Sequence, residues 1–289
     1  MRLLSFSEGG KEGWGAVSGE DIVDLSRALP NYPTLADFIA SSDFARRDAI
    51  VAAQRPGPKL SDVSFLPVIP RPEKIVCAVR NYLDHHNESL ASGIQREITG
   101  YPPIFLRVWR SQVGHNQPIV RPKVSLDLDW EGELAVIIGK SGRHISRADA
   151  WSHIAGYSIF NDVSVRDWQR HAQQIASGKN FVGTGPFGPW LVTPDEIGDP
   201  SKLKIETRVN GAVMQSANTS LLIFPIPHLI EYCSTIFDLV PGDVIVTGTP
   251  AGVGAARKPP VFLKPGDLVD VQIENIGTLS NPVAQETDG

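Results

Sequence analysis

The chain has 289 residues, of which 42% are hydrophobic and 20% charged, and its formal net charge is -5. That balance gives one large core with a small accessory unit, and it offers no basic face for nucleic acid or for an anionic membrane surface, so neither is expected as a partner. The two cysteines, Cys77 and Cys233, lie inside apolar runs, which argues against a disulfide framework and for a reducing compartment.

The opening "MRLLSFSEGGKEGWG" has too short an apolar run for a secretory leader, and no later segment approaches a membrane span, so a cytoplasmic location is expected. Strands are expected across "RLLSFS" and "GWGAVSG", followed by an amphipathic helix over 34–54. Five prolines between residues 55 and 74 then mark a link, and the boundary is placed near residue 69. Residues 1–69 are thus expected as a small N-terminal α+β domain with a proline-rich linker, and 70–289 as a second, larger domain. Further strands are expected at "KIVCAVR", "PIFLRVWR", "GELAVIIG", "AGYSIFND", "GPWLVT", "LKIETRVNG", "DVIVTGT" and "LVDVQIE", with a hairpin turn at Asn210-Gly211. Helices are expected at 82–91, 146–153, 163–174 and 226–237. Strands dominate without regular βα alternation, so the expected class is mainly β with α+β additions, curved and mostly antiparallel.

Carboxylates punctuate this pattern. In "LDLDWEGELAVIIGK" Glu131 and Glu133 stand two apart on a strand and therefore share a face, although both faces turn apolar downstream. Alone, such a pair fits a solvated face. A third acid, Asp162, closes the apolar strand "AGYSIFND", and three carboxylates at the ends of buried strands make an oxygen site for Mg²⁺, Mn²⁺ or Ca²⁺. Asp127 and Asp129 read as turn or strand-entry residues. In "NYLDHHNES" His85 and Glu88 are three apart, so a helical turn would pair an imidazole with an orienting carboxylate, a general base near neutral pH. A helix starting at Asp162 would carry Arg166 and Gln169 along the same side, either as an exposed Asp-Arg pair or as a row able to meet a carboxylate and a carbonyl. Lys179 lies in a glycine-containing loop where lysine is usually solvated. The "VTGTPAGVG" loop, with the Thr249 hydroxyl, is able to bind a carboxylate but lacks a nucleotide-binding pattern.

Taken in order, "RNYLDHHNE", "DWEGELAVIIG", "AGYSIFNDVSVRDWQ", "GKNFVGTGPFGPWLVTPDEI", "VNGAVMQSANTS", "PGDVIVTGTPAGVG" and "LKPGDLVDVQIENIGTLSN" resemble the fumarylacetoacetate hydrolase family over about residues 70–289. The resemblance implies a mixed β-roll or sandwich, a divalent cation, Mg²⁺ first, on Glu131, Glu133 and Asp162, and a homodimer. It further implies His85 and Glu88 as a base pair on a lid over 82–103, Lys179 as a catalytic residue, and Tyr82, Arg166, Gln169 and Thr249 around a 2-oxo acid substrate. Val79 stands where many members have glycine, Val182 where an aspartate often follows Lys-Asn-Phe, and Arg107 where many have lysine; each bears on substrate identity. The expected activity is metal-dependent hydrolysis of a carbon-carbon bond in a β-diketo acid of acylpyruvate or fumarylpyruvate type. The same site would serve an oxaloacetate-type decarboxylase or an isomerase of unsaturated 2-oxo dicarboxylic acids. A noncatalytic dicarboxylate-binding module is the third expectation.

Overall fold

A computed structural model describes residues 1–91 and 98–287, Ser89 and Ala91 by their backbone alone. At its centre the strands Gly132–Ile138 and Ile154–Asn161 run antiparallel, with Gly132 opposite Asn161 and Glu133 opposite Phe160. Every residue of both strands is buried. Leu134, Val136 and Ile138 join one apolar cluster with Ile205, Leu229 and Ile230, whereas Ala135 and Ile137 join another with Phe38, Phe187 and Leu191. Truncating a buried Leu or Ile to Ala costs about 2–5 kcal/mol, so this strand is held from both faces.

Among the described residues the main sheet has eleven strands. Its path runs Asp21–Asp24, Lys11–Ser18, Arg2–Glu8, Gly185–Val192, Ile154–Asn161, Gly132–Ile138, Val244–Val246, Ile75–Ala78 and Ile104–Arg107; Ser64–Phe65 and Gln112–Val113 pair off that path. Val244–Val246 and Ile75–Ala78 are parallel, which makes the sheet mixed. A five-stranded sheet of Ala212–Asn218, Lys204–Val209, Leu268–Ile273, Gly277–Gln285 and Ile119–Arg121 completes a sheet-dominated fold. Asn210 and Gly211, with φ of 51° and 80°, form the hairpin turn expected between its first two strands.

The N-terminal strands belong to the main sheet. Arg2 lies opposite Val192 and Leu3 opposite Leu191, so one sheet holds strands from both sides of the boundary expected near residue 69. Helices depart more from expectation. The segment 34–54 is broken into Leu35–Ala40, a 3-10 stretch Ser42–Arg46 and Arg47–Ala52. Thr34 and Asp37 start it with a reciprocal capping box, and Ser41 interrupts it with an extended backbone and a hydroxyl that donates to the Phe38 carbonyl at 2.7 Å. The helix expected over 163–174 shrinks to Arg166–Gln169, because Ser164 and Val165 pair as a strand with Asp129 and Leu128; Val163 and Val165 are β-branched and favour extended backbone. Residues 146–153 hold a 3-10 turn, Ala150–His153. Leu83–Ala91 and Ile226–Ile236 are helices where the sequence places them. Among the described residues no helix is long and apolar enough to cross a membrane, and both cysteines are free and buried.

Candidate active site: three carboxylates beside an acid-base pair

Backbone register assembles the acids. The Asp162 amide donates to the Glu131 carbonyl at 2.8 Å, extending the central strand pairing, so Asp162 and Glu131 project from the face that Glu133 shares. Carboxylate oxygens of the three lie within 4.8 Å of one another, and all three residues are buried.

Cations answer two of these acids. Lys179 Nζ donates to Glu131 Oε2 and Asp162 Oδ2, each at 2.7 Å, Arg107 Nη1 donates to Asp162 Oδ1 at 2.5 Å, and Arg166 Nη1 stands 2.7 Å from Glu131 Oε1. Burial alone would raise the pKa of Glu131, but Lys179 and then Arg166 outweigh it and hold the carboxyl well below the usual range. Glu133 behaves in the opposite way. It accepts from the Gly248 amide and forms no ion pair with a basic side chain among the described residues. Burial, followed by the like charges of Asp162 and Glu131, pushes its carboxyl well above the usual range. An underneutralised carboxylate within a set of oxygen donors is the environment that a hard divalent cation satisfies, so the three residues fit such an ion.

Of the ten residues expected at the metal, base and substrate positions, all but Tyr82 line one cavity of about 860 Å³, as does Val79, whereas Arg107 and Val182 are not part of its lining. His85 Nδ1 is 3.0 Å from Glu88 Oε2 on the helix Leu83–Ala91, and Glu88 Oε1 accepts from the Gly252 amide at 3.0 Å. Residues 92–97 of the expected lid lie outside the described residues. Arg166 arrives by way of the short strand rather than a helix begun at Asp162, and its Nη1 donates to Gln169 Oε1 at 3.1 Å. Lys179, expected to be solvated on its loop context alone, is 2% exposed among the acids. The Thr249 hydroxyl is engaged by the cavity wall, donating to the Gly132 carbonyl at 3.0 Å and accepting from Gln215 Nε2 at 2.8 Å.

Tyr82 is not among the residues that line this cavity: its ring belongs to the core cluster with Leu222 and Phe224, and its hydroxyl, buried without a hydrogen-bond partner among the described residues, has its pKa raised by burial and then by the charge of Glu133. The neighbouring Asn81 explains the inward turn: its side chain accepts from the Phe224 amide at 2.7 Å and donates to the carbonyls of Phe224 and Thr247 at 2.9 and 2.8 Å. Asp129 was missed by the strand-entry reading. It is fully buried and accepts from Arg166 Nε at 2.8 Å on Oδ2, with Nη2 of the same guanidinium at ion-pair distance, 2.8 Å, from that oxygen. Its spacing two residues before Glu131 carried the signal, because it extends the same alternation.

A sheet-dominated fold with three convergent buried carboxylates is an arrangement that could hold a divalent cation, and comparison with known proteins gives the family. The family model described as fumarylacetoacetate (FAA) hydrolase C-terminal matches residues 74–284, and the chain belongs to the fumarylacetoacetate hydrolase family. It is 43% identical to the human protein named oxaloacetate tautomerase FAHD2A, mitochondrial, over 98% of this chain and 91% of that one. It is 41% identical to the Bacillus subtilis (strain 168) protein named oxaloacetate tautomerase YisK, over 92% of this chain and 94% of that one. The crystal structure of maleylpyruvate hydrolase from a Sphingobium species, in complex with manganese(II) and pyruvate, is similar with a TM-score of 0.81 and 31% identity, covering 99% of this chain and all of that one.

Proposed function

We propose that the protein is a divalent-metal-dependent oxaloacetate tautomerase that interconverts the enol and keto forms of a 2-oxo dicarboxylic acid. The observation that carries this reading is near-full-length identity to oxaloacetate tautomerases from a mammal and a bacterium, which favours isomerisation over the carbon-carbon hydrolysis expected first. Glu131, Glu133 and Asp162 would hold the cation, with Mg²⁺ and Mn²⁺ as the candidates to test. When bound, the ion would supply Lewis-acid polarisation of the substrate's oxygens.

The chain's own residues account for the proton movement. Glu88 on Nδ1 fixes the imidazole of His85 and sets Nε2 as the atom that exchanges a proton. In the keto-to-enol direction His85 takes a proton from C3, the C–H electron pair becomes the C2–C3 double bond, and a proton is returned to the 2-oxo oxygen, so nothing is added to or lost from the substrate. Arg166 and Lys179 place positive charge beside the acids, where an anionic substrate must approach. No attacking water is required. The reading also includes a homodimer.

The test follows enol absorbance of oxaloacetate with purified protein in Mg²⁺ or Mn²⁺, alongside carbon dioxide release and acylpyruvate cleavage. Enol loss well above the spontaneous rate, abolished by EDTA, is expected. Acylpyruvate cleavage in the absence of tautomerisation would return the hydrolase reading, and carbon dioxide release outpacing tautomerisation would favour the decarboxylase.

A further inference from the structure

We infer that Asp129 is a positioning residue that sets two working groups at once: the guanidinium of Arg166 and, through the Gly252–Ala255 loop, the His85–Glu88 pair. The inference deepens the proposed tautomerase site and rests on that reading for its kinetic arm. A carboxylate buried to 0% exposure needs full compensation, and of the partners of Asp129, Arg166 and Ala255 line the cavity. On one side its Oδ2 accepts from Arg166 Nε at 2.8 Å, and Nη2 lies at ion-pair distance, 2.8 Å, from the same oxygen. On the other, Oδ1 accepts the amides of Gly254 at 2.7 Å and Trp130 at 2.9 Å, while Oδ2 accepts that of Ala255 at 2.9 Å.

The loop so pinned has little freedom to move by itself. Trp130 Nε1 donates to the Gly252 carbonyl at 3.2 Å, and a Cβ at Gly252 would collide with the Met214 carbonyl. Gly252 has φ of 105°, a conformation that glycine alone adopts at low cost. From this fixed point the Gly252 amide reaches Glu88 Oε1 at 3.0 Å, while Glu88 Oε2 holds His85. One buried carboxylate therefore ties the cation-bearing wall to the wall that carries the base. Such orienting groups shift affinity or rate by about 10- to 100-fold when removed.

The two arms separate in a cycle of Asp129→Asn, Arg166→Gln and the double variant. Two quantities are read: KM and kcat for oxaloacetate tautomerisation, and calorimetric affinity for oxalate in Mg²⁺. Asp129→Asn is expected to raise KM and weaken oxalate binding by about tenfold through Arg166, and to lower kcat by about tenfold through the loop. In the Arg166→Gln background the same change should leave KM and oxalate affinity where Arg166→Gln alone puts them, and still lower kcat. Additive losses in oxalate affinity, or an unchanged kcat in both backgrounds, overturn the inference. A fall in kcat alone, matched by the fraction of folded protein, reduces Asp129 to a structural role and overturns it too. Should Asp129→Asn strand the Arg166 charge and fail to fold, the double variant removes both charges and is compared with Arg166→Gln. A wild type without tautomerase activity refutes the functional reading, while the oxalate arm still tests the link from Asp129 to Arg166.

Discussion

At the residue scale, the site balances buried charge against cation binding, and Glu133 is where that balance is worst. Its carboxylate is raised by burial and by Asp162 and Glu131, so replacing it with the neutral isostere removes repulsion and a ligand together. Glu133→Gln should unfold at a higher temperature than wild type in EDTA and lose the stabilisation that Mg²⁺ gives. At a hundredfold excess over Kd that stabilisation is about 2.7 kcal/mol, on the order of 5 °C for a chain of this size, and a variant that still shifts by that amount would remove Glu133 from the ligand set. His85 acts differently. His85→Ala should keep Mg²⁺ and oxalate affinity in calorimetry while turnover falls by about 10²- to 10⁴-fold, with Glu88→Gln milder because the imidazole remains. Turnover at the wild-type rate in His85→Ala would dismiss it as the base. Much of this chemistry is legible in the sequence, since period-two alternation aligns Glu131 with Glu133 and a helical turn aligns His85 with Glu88. The partners of Asp129 and Arg107 are not, because Arg166 and Asp162 lie 37 and 55 residues away and are brought in by the folded chain. Tyr82 lies outside the cavity lining for a related reason: the motif names the residue, and the anchoring of Asn81 decides which way the chain turns.

At the element scale, the strands with long apolar runs were legible and the short helices were not. A strand such as Gly132–Ile138 is specified by burial on both faces, whereas Arg166–Gln169 is cut short by a two-residue strand pairing that no local periodicity announces. The helix Leu83–Ala91 brings His85, the proposed base, to the cavity and touches the Gly252 loop through Glu88. Amide exchange in that helix should slow when oxalate and Mg²⁺ are added, and unchanged exchange at saturation would count against a closing lid. A second element-level contact makes stability depend on pH. His115 stacks edge-on against Phe65 and its Nδ1 accepts from the Ser280 amide at 3.1 Å, joining the two sheets. Burial lowers its pKa from 6.5 to about 4. The unfolded chain thus binds a proton over a range where the folded chain does not. The contribution is whole above the unfolded value and is lost as pH falls from 6.5 toward about 4. Urea midpoints measured at about pH 7 and about pH 4.5 should differ less for His115→Gln than for wild type; equal differences would show that another group governs the acid limb.

At the scale of the whole molecule, the described residues add no further strand beyond the Ile104–Arg107 end of the main sheet. Ile104–Arg107 ends the main path, and the Asn180 side chain blunts it by accepting from the Val108 amide at 2.7 Å and donating to the Leu106 carbonyl at 3.3 Å. The side chains around this clasp stay apolar and open: Leu106 is 46% exposed, Val108 54% and Val182 74%. An apolar patch beside a capped edge suits contact between side chains of two copies rather than continuation of the sheet, which supports the proposed homodimer and names a surface for it. The same segment carries Lys179 into the acids and Arg107 onto Asp162, so covering it would also steady the cavity floor. Light scattering at micromolar concentration should give twice the 31.4 kDa of one chain. Val108→Asp, with its charge on the open patch, should shift the protein toward the monomer and lower its melting temperature, while the circular dichroism of the folded state is retained. A wild type that stays monomeric would remove the dimer, and a Val108→Asp protein that stays fully dimeric would move the interface elsewhere on the surface.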